Sequence, residues 1–65
     1  MLLCEFTTAA GKPLVFDVEK IQSIYYEGDR LLLDFGEYKG NRFEIAESFD
    51  EARRIILEAL NNKQN

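Results

Sequence analysis

Apolar and polar residues alternate with a period of two at the start of the chain. Leu2, Cys4 and Phe6 fall on one side and Leu3, Glu5 and Thr7 on the other, so Leu2 to Thr8 is predicted to be a strand. Ala9-Ala10-Gly11-Lys12 interrupts the alternation as a turn. Pro13 opens a second strand, where a missing N–H does least harm, and Leu14, Phe16 and Val18 then alternate with Val15 and Asp17. Val18-Glu19-Lys20-Ile21 reads either as a short helical turn or as the start of a third strand. The three-residue spacing of Ile21 and Ile24 suits a turn leading into a strand.

The sharpest local signal is Ile24-Tyr25-Tyr26-Glu27-Gly28-Asp29-Arg30-Leu31-Leu32-Leu33. Gly28-Asp29 is a two-residue hairpin loop of the glycine-first kind. Such a loop sets Glu27 against Arg30, Tyr26 against Leu31, Tyr25 against Leu32 and Ile24 against Leu33. In that register Ile24, Tyr26, Leu31 and Leu33 share an inward face. Glu27, Arg30, Ser23 and Asp34 share the outward face with Tyr25 and Leu32, and a slip of one residue would destroy the sorting. Phe35 ends the fourth strand, Gly36 to Asn41 is a loop, and Arg42 to Ile45 is a short strand with Phe43 and Ile45 inward.

Ser48-Phe49-Asp50-Glu51 is a capping box: the Ser48 hydroxyl accepts from the amide three residues on, and Glu51 reaches back to the Ser48 amide. Phe49, Ala52, Ile55, Ile56, Ala59 and Leu60 then form one stripe at helical spacing, opposite Asp50, Glu51, Arg54 and Glu58. The sum is an α+β fold, a five-stranded antiparallel meander covered on one face by a single C-terminal helix. It makes one domain over residues 1–60, with a frayed polar tail at 61–65. Phe16, Leu33, Phe49 and Ile56 are the expected large core residues.

Sixty-five residues bury only about 60% of the surface of the unfolded chain, so little stability is in reserve. One cysteine and no histidine rule out an internal disulfide and leave a zinc site only an unusual ligand set. Cys4 has no base to activate it, and the four glycines all fall in predicted turns rather than in a phosphate-binding loop. The expectation is therefore a chain that is not an enzyme and takes no cofactor or metal. With a net charge of −4 and dispersed basic residues, nucleic acid and anionic membranes are disfavoured as partners. The start of the chain shows neither a basic n-region nor a long apolar run, and a cytoplasmic location is expected.

What remains is binding to protein. Adjacent Tyr25 and Tyr26 point to opposite faces, so one is core and the other exposed. Tyr25 and Leu32, with Val15, are the candidate apolar patch on the outer sheet face, and self-association there would give a homodimer. Glu44, Glu47, Asp50 and Glu51 gather near the helix start and make the alternative candidate: an acidic inhibitor or regulator of phage or mobile-element type, occupying a basic site on its partner.

Thr8 to Lys12, then Val18 to Ile24, a strand, a glycine loop, a strand ending at Ile45, and Glu47-Ser48-Phe49-Asp50-Glu51 opening a helix follow one another in a telling order. From about Thr7 to Leu57 this resembles the small bacterial flagellar and swarming motility proteins of the FlbD and SwrD type, and similar short bacterial or phage proteins. The resemblance implies the same α+β plan and brings no catalytic motif with it. The closing rhythm is also similar to LytTR-type DNA-binding domains, but those need a basic face that this acidic chain lacks.

Overall fold

The computed structural model describes residues 1–36 and 41–62. Strands β1 (Leu3–Thr7), β2 (Pro13–Asp17), β3 (Ser23–Glu27), β4 (Arg30–Asp34) and β5 (Arg42–Glu44) precede helix α1 (Phe49–Asn62), and a 3₁₀ turn, Val18–Lys20, separates β2 from β3. The centre of the loop expected from Gly36 to Asn41 lies outside the described residues, as do the last three positions of the tail. The helix runs two residues into that tail, through Asn62.

The strands form two antiparallel sheets, β1–β2 and β3–β4–β5, and not the single five-stranded meander expected from sequence. The 3₁₀ turn is the reason. The Asp17 carboxylate accepts from the Glu19 amide at 3.1 Å and from the Leu2 amide at 3.3 Å. The Val18 amide donates to the Leu2 carbonyl at 2.8 Å. These bonds fasten the end of β2 to the start of β1 and turn the chain away, so β3 does not return alongside β2. The two sheets meet instead where β1 and β5 end. Thr8 and Ile45 form an isolated bridge, Ala9 donates to the Glu44 carbonyl at 2.9 Å, and Ala46 donates to the Thr7 carbonyl at 2.8 Å. The layer therefore runs β2-β1-β5-β4-β3 and stays open between β2 and β3.

The β3–β4 hairpin has the register read from its loop: Glu27 opposite Arg30, Tyr26 opposite Leu31, Tyr25 opposite Leu32 and Ile24 opposite Leu33. Gly28 has a φ of 66°, the left-handed value that the first position of this loop requires. Phe6 and Leu33 are the largest fully buried side chains. Phe16 stacks on Phe6 at 5.5 Å and meets Phe35 edge-on at 4.9 Å.

Helix α1 packs on β1 and the 3₁₀ turn. It is buried there through Ala52 and Ala59, whose small side chains let the helix backbone approach closely. This corrects the expected core. Leu33 is buried, but Phe16 and Ile56 are only partly so, and Phe49 lies at the rim. Tyr26, expected inward, is exposed and stacks on Phe49 at 6.0 Å.

The helix start is half of the predicted capping box. The Glu51 amide donates to Ser48 Oγ at 3.2 Å. The Glu51 carboxylate does not return to Ser48, because it pairs with Arg54 one turn on, and Arg54 also reaches Glu58 at 2.8 Å. Ser48→Ala should cost about 1 kcal/mol, the usual loss of an N-cap acceptor. An unchanged urea midpoint would show that the hydroxyl contributes nothing to the helix start.

Candidate interaction surfaces

The outer face of β3–β4–β5 is closed over by charge. Leu32 is only 4% exposed, against the expectation of an open patch. It occupies the centre of the middle strand, opposite Tyr25 on β3 and Glu44 on β5. Around it runs a chain of contacts. Arg30 pairs with Glu44 at 2.9 Å and with Glu27 at 3.8 Å. Arg42 pairs with Glu27 at 3.7 Å and donates from Nη1 to Tyr25 Oη at 3.2 Å. Each pair is exposed and contributes little by itself. Their methylene stems, however, shield Leu32 while the charged ends stay in water. Tyr25 is half-buried in this ladder. Val15 is exposed, but on the β1–β2 sheet, so Val15, Tyr25 and Leu32 do not form one surface.

The four carboxylates expected to act together are mostly committed within the chain. Glu44 holds Arg30. Both oxygens of Glu47 accept from the Thr7 amide, at 3.0 and 2.9 Å, which ties the segment before α1 to the end of β1. Glu51 is held by Arg54, and this hydrogen bond keeps its carboxyl below the ordinary range. Asp50 is exposed in the first helical turn. Among the described residues no group of three or more Cys, Asp or Glu is placed to hold a metal ion. Burial, and then the nearby charge of Asp17, push the Cys4 thiol up, so it stays protonated and unreactive near neutral pH.

A third surface was missed from sequence. Where the layer is open beside β2, a groove of about 780 Å³ is lined by the apolar Leu14, Phe16, Ile21, Phe35 and Phe43 and by the polar Asp17, Glu19, Lys20, Gln22 and Asn41. Phe43 meets Phe35 edge-on at 5.7 Å and extends the aromatic row that begins at Phe6. The alternation of β5 marked Phe43 as inward, yet among the described residues it is left 36% exposed, and β2 and β3 do not pair. Only the row of phenylalanines at inward positions signals this groove in the sequence.

Asp17 belongs to the same wall, and amide hydrogen bonds from Glu19 and Leu2 hold its carboxyl below the ordinary value. A carboxylate lowered in this way adds stability that is in place above its unfolded-state value, about 3.9. That contribution is lost as pH falls through the lower folded-state value. The melting temperature should therefore fall more steeply below about pH 4 in the wild type than in Asp17→Asn. Parallel curves would show that these bonds are not made in solution.

No family model, curated protein or solved structure matches the chain. No helix among the described residues is long and apolar enough to cross a membrane.

Proposed function

We propose that this chain is a small non-catalytic module that binds protein, receiving an extended segment of its partner along β2 with apolar side chains in the aromatic groove. The observation that carries this reading is the coincidence of an apolar floor with a free strand edge. Among the described residues β2 pairs only with β1. The hydrogen-bonded pairs of an antiparallel ladder alternate. Val18 donates to Leu2, and Thr8 to Lys12, so Phe16 and Leu14 face β1 with their backbone groups while those of Val15 and Asp17 turn to the open edge. A segment added there gains main-chain hydrogen bonds from the edge and specificity from the pockets that take every second side chain. Val15 thus keeps a role in binding, through its backbone rather than its side chain. An acidic inhibitor or regulator that occupies a basic site has less support, because three of its four candidate carboxylates, Glu44, Glu47 and Glu51, are engaged inside the chain.

The reading is tested with peptides from a random display library, selected on the wild type and counter-screened on Phe43→Asp. Phe43 also packs on Phe35, so the variant should melt below the wild type, and binding is compared at a temperature where circular dichroism shows both proteins folded. Enriched peptides should carry apolar residues two apart and bind Phe43→Asp at least tenfold more weakly. Selection that enriches nothing, or peptides that bind both proteins equally, removes the groove as the binding site.

A further inference from the structure

Helix α1 carries a second surface that the groove does not use. Phe49, Arg53, Leu57 and Leu60 recur at helical spacing along one flank, beside the line of Ala52 and Ala59 that faces the sheets. Phe49 is 36% exposed, Leu57 51% and Leu60 39%, and Tyr26, stacked on Phe49, is 56% exposed. The apolar stripe is wider than the strands beneath can cover: Ala52 and Ala59, with Ile55 and Ile56 beside them, take up the contact and leave this flank open. Scaled from the roughly 150–250 Å² of an aromatic side chain, these four residues leave on the order of 300 Å² open. A standard interface takes about 800 Å² from each partner, a little over half of it apolar. The flank supplies the larger part of that apolar area, and Arg53 and Asp50 lie beside it as a polar rim.

The rim is self-complementary in charge. Asp50 and Arg53 are three residues apart and, with Leu57, line one open groove of about 630 Å³ on the outer side of the helix. Among the described residues neither makes an ion pair within the chain, whereas neighbouring Arg54 is held by both Glu51 and Glu58. A surface with one unpaired cation and one unpaired anion beside an apolar ridge is suited to a two-fold contact, in which residue i meets j and j meets i.

We infer that the flank of α1 binds a second copy of this chain. The apolar ridges of Phe49, Leu57, Leu60 and Tyr26 pack together, and Arg53 of each copy pairs with Asp50 of the other. This site of self-association replaces the outer sheet face, whose Leu32 is covered by the chain's own charged stems. It is independent of the groove, and either reading can fail without the other.

The test is sedimentation equilibrium from low to high micromolar concentration. The wild type should pass from monomer to dimer, and Leu57→Glu, which alters only a solvent-facing position, should stay monomeric with an unchanged melt. Asp50→Arg alone and Arg53→Asp alone should each be at least tenfold weaker in self-association. Mixed together they should form a one-to-one heterodimer, since each supplies the charge the other lacks. A wild type that is monomeric throughout overturns the proposal. So does a Leu57→Glu variant that dimerises like the wild type, or a mixture of the charge variants that associates no better than either alone.

Discussion

Replacing Phe6 by alanine should leave a chain that no longer folds stably at room temperature. Phe6 is fully buried near the end of β1, the strand on which the helix packs. Its ring lies 5.5 Å from that of Phe16, nearly parallel at 9°, and begins the aromatic row that continues to Phe35 and Phe43. A buried phenylalanine truncated to alanine costs about 3–5 kcal/mol, from lost transfer free energy and the cavity left behind. A domain of this length holds roughly 3–10 kcal/mol in total at the usual 0.05–0.15 kcal/mol per residue. One substitution therefore removes much or all of the margin. Val15→Ala is the matched control: it is on the neighbouring strand but exposed, and should change stability by no more than about 0.5 kcal/mol. Thermal unfolding followed by circular dichroism reads both. A Phe6→Ala protein melting within a few degrees of the wild type would mean that β1 does not carry the core.

Leu32→Ser should destabilise by about 2–4 kcal/mol, combining the loss of buried methyl groups with a hydroxyl placed among covered side chains. On an open sheet face the same change would be close to neutral, so the magnitude separates the two arrangements. The charged cover is tested alongside. Arg30→Ala and Arg42→Ala should each cost far less than Leu32→Ser, since exposed ion pairs contribute little, and part of that small cost should fade in high salt. The cost of Leu32→Ser should persist, because it arises from burial. Combining Arg30→Ala with Leu32→Ser should give less than the sum of the two, since the arginine stem then has no leucine to cover. Strict additivity would show that the stems do not shield Leu32.

The candidate surfaces were legible in unequal measure. Alternation correctly put Val15 on an exposed face, and the hairpin loop correctly set Tyr25 opposite Leu32. The inference that an outward leucine is an open leucine failed, because Arg30, Arg42, Glu27 and Glu44 come from three strands and meet only when the sheet is assembled. The same holds for Glu47. It reads as one of several acids near a helix start, yet it binds the amide of Thr7, forty positions away. The groove lies between residues 14–22 and residues 35–43 and has no local mark beyond inward phenylalanines.

By itself the sequence determined what depends on neighbours a few residues apart: the period of each strand, the Gly28-Asp29 loop and its register, the Ser48 cap and the length of the helical stripe. These follow from backbone geometry and short-range hydrogen bonds, which the local residues supply whatever surrounds them. Only the tertiary structure decided that β2 and β3 part company, that β1 meets β5, and that Leu32 is covered while Tyr26, Phe49 and Phe43 are not. Burial is settled by what packs against a face, not by the face's own pattern. Here the 3₁₀ turn after Asp17 opened the layer, and the helix settled on Ala52, Ala59, Ile55 and Ile56, which left Phe49, Leu57 and Leu60 along the flank.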